Sequence, residues 1–276
     1  MNILQLKPIC FLLILVFILS EEDVEAQAPV SNCVNKTLSV VAHIIKDHEN
    51  QYGITEQEVQ DAIDIANNDF APMCLVFEIC KFNYIDNFQY DTLDYLVKND
   101  AGWSEEDEMV IKYNVPSIKD SNPNKINVYF VTSLEQPDGD GCGNADSSRN
   151  LIMVQKSCLD DGKIISHNLG HILGLPNTDG SYPRGSGPDL NGLVDGTNCA
   201  TTGDKICDTP VDLSDGLVNI ECEYTSSVTK DANGQYYIPN VGNIMSKYLP
   251  NCKCGFTEQQ FENMAESVMT SKRNLW

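Results

Sequence analysis

Residues 167–178 read HNLGHILGLPNT, and no other stretch constrains the chain as much. His167 and His171 are four positions apart. On a helix that spacing leaves them about 40° from each other, so both imidazoles can face one point. Gly174 is placed to end the helix and turn the chain, returning the next residues toward the histidines. A zinc peptidase built on this pattern needs a third ligand after the turn. It also needs a glutamate beside the first histidine to deprotonate the metal-bound water. Here H-x-x-x-H-x-x-G-x-x-N keeps two ligands and the turning glycine, while Asn168 stands at the glutamate position and Asn177 at the third-ligand position.

Both replacements work against hydrolysis. A neutral amide does not accept a proton from water, and a missing general base costs about 10²–10⁴ in rate. Asn177 offers a weak, hard oxygen, whereas zinc sites are made from imidazole, thiolate and carboxylate. The nearest carboxylate, Asp179, lies two residues beyond the ligand position. The chain has four histidines, and the remaining two, His43 and His48, fall in a predicted strand and the turn after it. Neither is an obvious substitute ligand.

The N-terminus sets the expected compartment. Lys7 precedes an unbroken apolar run from Ile9 to Leu19, too short for the roughly 20 residues that span a bilayer. With small residues at Val24 and Ala26 it reads as a signal peptide over residues 1–26, leaving one domain over 27–276 that is secreted, with no membrane anchor. The formal charge of −22 gives a surface that repels nucleic acid and anionic membranes, so neither is an expected partner. Of eleven cysteines, Cys10 leaves with the leader and ten remain, an even number in an oxidising compartment. The expectation is five disulfides of unread pairing. Cys252-x-Cys254 has metal-like spacing but no companion CxxC pair. Asn35-Lys36-Thr37 is a glycosylation sequon.

Leu38–Ile45 is β-branched and apolar on both faces and predicts a buried strand, as does Leu75–Ile79; Ile126–Val131 predicts an alternating strand, and Leu151–Gln155 one that leads into the histidine helix. Thr55-x-x-Glu58 and Thr257-x-x-Gln260 are capping boxes. They open helices whose inward stripes are Val59, Ala62, Ile63 and Ala66, and Phe261, Met264, Ala265 and Val268. Residues 176–256 are rich in Gly, Pro, Asn, Asp and Cys and predict turns held by disulfides. Asp138-Gly139-Asp140-Gly141 and Asp231-x-Asn233-Gly234 begin like calcium loops but reach Arg149 and Gly242 where a bidentate acid is required, and so predict turns.

Together these segments resemble the pappalysin-like branch (cytophagalysin and ulilysin) of the metzincin peptidases. The residues that carry the resemblance are Gly53-Ile54-Thr55, Asn68-Asp69-Phe70, Ile126–Val131, Asp195-Gly196-x-Asn198-Cys199, Asp204-x-x-Cys207-Asp208-Thr209-Pro210, Asp231-Ala232-Asn233-Gly234 and Asn243-Ile244-Met245-Ser246. The resemblance implies an α+β or α/β, metzincin-like zinc-peptidase fold with two lobes either side of a cleft. A twisted sheet with helices would form the N-terminal lobe, about 33–174. An irregular, disulfide-rich C-terminal lobe, about 175–276, would end in a helix. Met245 would lie beneath the metal position, with Gly174 as the turning residue. Zinc is the family's metal, weak or absent here, and structural calcium could be supplied by the acidic loops between Asp179 and Asp212. Two positions after the Met-turn methionine the family has a tyrosine that stabilises the transition state. Here that place holds Lys247, with Tyr248 one residue late.

The departures gather at the chemistry while the scaffold residues are kept. The resulting expectation is a pseudopeptidase that binds peptides or proteins in the remnant of the cleft. Lys247 could serve there as a local cation or extend to solvent. The alternatives are an active endopeptidase, with Asn177 and a water completing the metal site and another carboxylate as base, and a purely structural disulfide-rich protein.

Overall fold

The computed structural model describes residues 33–86, 88, 91–94, 124–135, 142–181, 189–225 and 229–276. The expected leader and the Asp138–Gly141 run lie outside them. Strands β1 (Lys36–Ile45), β2 (Leu75–Ile85), β4 (Ile126–Val131), β6 (Gly143–Asp146) and β7 (Leu151–Gln155) form one sheet in the order β2-β1-β4-β7-β6. The first four neighbours run parallel and β6 pairs antiparallel with β7 at the edge. Two short strands, β3 (Thr92–Asp94) and β5 (Ser133–Glu135), pair apart from it.

Parallel strands inside a sheet are covered on both faces, so their sequences lose polar alternation. β4 shows this. Its INVYFV stretch is buried at every position, where alternation predicts one wet face. Leu38, Val40, Ala42 and Ile44 of β1 join Ile126, Val128 and Phe130 of β4 and Ile152 and Val154 of β7 in the main core. Tyr129, Val131, Leu151 and Met153 enter a smaller core on the other face. Polar side chains of that face meet one another, although the Tyr129 hydroxyl is buried without a hydrogen-bond partner. His43 stacks on Tyr129 with ring centroids 4.3 Å apart and binds Asn127 and Asn83 at 3.1 and 3.0 Å. Burial holds its pKa down at about 4, so it is a neutral, satisfied core histidine.

Helix α1 (Glu56–Phe70) starts at the Thr55 capping box and turns Val59, Ala62, Ile63, Ala66 and Phe70 inward. Asp69 near its end accepts from Lys163 Nζ and Ser166 Oγ, both at 2.6 Å, and so ties α1 to the first turn of α2 (Ile164–Ile172), the histidine helix. Among the described residues between α2 and α3 (Glu258–Met269), backbone pairing is through turns, one short 3-10 helix, isolated bridges and a few longer-range bonds, with no strand of the sheet.

The five-disulfide expectation is corrected to four: Cys33–Cys74, Cys142–Cys158, Cys199–Cys207 and Cys222–Cys252. Cys80 and Cys254 stay reduced and exposed. The reason is placement. Cys80 sits in edge strand β2 at the bulge opposite Val40 and Val41, with its thiol on the Val40 carbonyl, while Cys254 packs against Gly242 in a turn. Cys252 is already spent on Cys222, which removes the thiolate-pair reading of Cys252 and Cys254.

Candidate functional site

Helix α2 brings His167 and His171 together, with ring centroids 4.7 Å apart and their Nε2 atoms 3.1 Å apart. The other nitrogen of each ring fixes the tautomer. His167 Nδ1 lies 2.8 Å from the Ile244 carbonyl and His171 Nδ1 lies 2.7 Å from the Leu175 carbonyl. A carbonyl only accepts, so each Nδ1 carries the hydrogen and each neutral ring presents a bare Nε2. His171 is buried, and His167 keeps part of its surface open although densely surrounded. Burial lowers both pKa values, that of His171 to about 4, with the charges of Lys253 and Lys247 acting in the same direction. Two neutral acceptors thus face each other at contact distance, an arrangement that a shared cation would relieve.

Gly174 makes the turn with φ of +99°, a conformation that glycine adopts without strain. Its space is not what requires glycine, since an added Cβ would meet only Ser267 Oγ at 3.8 Å. The turn delivers Leu175 to His171 and sets Thr178 N on the Met245 carbonyl at 3.1 Å. Met245 is fully buried with its sulfur against Gly170, where a Cβ would come within 2.5 Å of Sδ. Gly170 is a site residue that the ligand pattern does not single out. A glycine inside a helix, between two histidines that must converge, is the available signal of close packing.

Asn177 comes after the turn and is buried. Its Nδ2 donates to the carbonyl and to Oγ of Ser181, both at 3.1 Å. Its Oδ1 is buried without a hydrogen-bond partner, although the side chain stands near enough to His171 to favour a proton there. These two facts agree, because neutral His171 keeps its proton on Nδ1 and has none to give on that side.

Asn168 is also buried, but its amide is engaged elsewhere. Nδ2 donates to the Ile164 carbonyl at 2.8 Å and packs on Gly143 of β6, where an added Cβ would approach it to 2.5 Å. Lys247 extends to Asp179, with Nζ 3.4 Å from Oδ2, an ion-pair distance without hydrogen-bond geometry. Tyr248 turns the other way, donating to Asp212 at 2.6 Å, and burial with that carboxylate raises its pKa.

The acidic loops bring three buried carboxylates into one region. Asp212 also accepts from Thr178, while Asp179 Oδ2 and Asp204 Oδ2 have no hydrogen-bond partner. Burial pushes Asp204 up to about 7. Asp231 instead caps its own turn, accepting from the backbone of Asn233 and Gln235. No group of three or more His, Cys, Asp or Glu placed to hold a metal ion occurs among the described residues.

The fit to zinc can be judged from donors alone. Two imidazoles bound to one tetrahedral zinc, each at about 2.0–2.1 Å, sit about 3.3 Å from each other, close to the 3.1 Å between these Nε2 atoms. Each Nδ1–H is anchored on a carbonyl, which is how ligating histidines are oriented. The orphaned Asn177 oxygen lies on the His171 side. The set fits a divalent cation, with an amide where a stronger ligand would be.

No family model and no curated protein matches this sequence. Among solved structures, mirolysin in complex with compound 9 aligns with a TM-score of 0.56 over 87% of this chain and 95% of its own, at 16% identity. The zinc-dependent peptidase of Methanocorpusculum labreanum (strain Z) aligns at 0.30 over 50% and 83%, also with 16% identity. Metalloproteinase-II from Bacteroides fragilis aligns at 0.34 over 55% and 46%, with 13% identity. The likeness to mirolysin shows that the two chains share a fold. No helix among the described residues is long and apolar enough to cross a membrane.

Proposed function

We propose that this protein is a secreted, metzincin-like pseudopeptidase of the pappalysin type that binds peptides or proteins in a cleft over α2 instead of cutting them. Asn168 is the observation that supports this reading most. It occupies the general-base position, its amide is committed to the Ile164 carbonyl, and no protonation state of an amide takes a proton from water. Lys247 adds to the case. At the position where the resemblance implies a transition-state tyrosine, it supplies a cation paired with Asp179 and bearing electrostatically on both histidines. Zinc, if held, is held by His167, His171 and Asn177 more weakly than by three imidazoles. It would supply a Lewis acid with no base beside it.

The test is a cleavage assay on the mature chain saturated with zinc, using an unstructured protein as substrate. The expected result is no cleavage that a chelator abolishes. Chelator-sensitive cleavage that disappears in His167→Ala would overturn the proposal and favour an endopeptidase with another carboxylate as base.

A further inference from the structure

Nothing in the ligand pattern explains why Asn177 should present its oxygen, and not its NH₂, to the histidines. The two ends of an amide have nearly the same shape, so the choice must come from hydrogen bonding. The partner on the far side is Ser181, which contacts Asn177 through two atoms. One is a backbone carbonyl and can only accept. The other is a hydroxyl whose single proton is already given to Asp179 Oδ1, at 2.5 Å. A carboxylate cannot return a proton, so Ser181 Oγ is left with only lone pairs for Asn177. Both atoms of Ser181 therefore demand a donor, and Nδ2 must face them. Asp179 Oδ1 also accepts from Ser181 N at 2.9 Å, which clamps the serine in place. Lys247 Nζ stands 3.4 Å from the other oxygen, Oδ2, on the far side of the carboxylate. The consequence is that Asn177 Oδ1 is turned toward His171 and left without a hydrogen bond in a buried position. A buried, unpaired carbonyl is costly, and here it is produced by hydrogen bonds that all point the same way.

We propose that Ser181, clamped by Asp179, is a positioning residue that turns the Asn177 amide so that Oδ1 joins His167 Nε2 and His171 Nε2 as the third donor to one divalent cation of the zinc class. The proposal rests on reading the histidine pair as a remnant metal site, but not on the loss of cleavage. Metal binding and cleavage can each fail without the other. The site it describes is neutral, with an oxygen that becomes a ligand only through the residue behind it. Orienting partners of this kind are worth about 10–100-fold in metal affinity.

The experiment is a cobalt(II) and zinc titration of the mature protein, read by the cobalt d–d absorption and by competition with a chromophoric chelator. Wild type is expected to take one ion, lost in His167→Ala/His171→Ala. Asn177→Ala should weaken binding and change the cobalt band. Ser181→Ala should weaken it about tenfold, whereas Ser181→Thr, which keeps the hydroxyl, should stay within about threefold of wild type. In the Asn177→Ala background, adding Ser181→Ala should change nothing further, because no amide remains to be turned. If Ser181→Ala does not fold, judged by near-ultraviolet circular dichroism, Ser181→Cys is used in its place. Unchanged affinity in Asn177→Ala would overturn the proposal. So would a Ser181→Ala loss that is just as large without Asn177, or a wild type that binds no ion.

Discussion

At the residue scale, the buried polar side chains Asn168, Asn177, Asp179 and Asp204 differ by what stands behind them. Asn168 is satisfied through the Ile164 carbonyl, whereas Asn177 keeps one end bare. Asp179 faces a lysine, whereas Asp204 pairs with no cation among the described residues and has an oxygen with no hydrogen bond. Thr209 stands near enough to help the Asp204 carboxylate, yet its hydroxyl too lacks hydrogen-bond geometry. The Asp204 pKa of about 7, against 3.8 for a free aspartate, has a defined consequence for stability. Between those values the folded chain holds a proton that the unfolded chain releases, so stability falls as pH rises from about 4 to about 7 and is flat above. Asp204→Asn carries no such loss. In chelator, its stability relative to wild type should climb through that window by up to about 4 kcal/mol. Urea unfolding at pH 4, 6 and 8 checks this, and a constant difference would mean that Asp204 titrates alike in the folded and unfolded chain.

At the element scale, α2 is only nine residues long and owes its geometry to two other elements. The Ile244 carbonyl that orients His167 belongs to the turn Asn243–Ser246, and that turn is held by α3. Asn243 and Gln260 exchange two side-chain hydrogen bonds, at 2.9 and 3.3 Å, and Gln260 also completes the capping box at Thr257. Both side chains are buried. Gln260→Ala should therefore cost about 2–3 kcal/mol in urea unfolding and weaken metal binding at His167. A loss of stability with unchanged metal affinity would separate α3 from the site. The capping boxes at Thr55 and Thr257 were legible because their bonds are local, three residues apart. The strands β1, β4 and β7 were legible from their β-branched runs. Strands β3, β5 and β6 were not, because TLD, SLE and GNAD are polar triplets and a quartet that become strands only by pairing. β2 runs past its expected end at Ile79 through Ile85, since KFNYI lies along the open edge of the sheet and need not be apolar.

At the scale of the whole molecule, four disulfides and a sheet covered on both faces carry a site whose ligand spacing could be read but whose supports could not. The i, i+4 histidines declare their convergence in sequence. The carbonyls that orient them, on Ile244 across the fold and on Leu175 just past the helix, and the Ser181 carbonyl that orients Asn177, are backbone groups, which leave no mark in a sequence. The cysteine count misled for a similar reason, because parity cannot tell two exposed thiols from a fifth bond. Denatured, unreduced mature protein should titrate two thiols per chain, and none would mean that Cys80 and Cys254 pair in trans or with small thiols. If the scaffold is intact and the proposed loss is confined to the chemistry, restoring the chemistry should restore cleavage. The variant combines Asn168→Glu for the base, Asn177→His for the third ligand and Lys247→Tyr for the oxyanion, and its chelator-sensitive cleavage of an unstructured protein is measured beside wild type. The expected result is one tightly bound zinc and clear cleavage in the triple variant, with none in wild type and little in any single variant. Wild type cutting as fast as the triple variant, or a folded triple variant that binds no zinc, would contradict it.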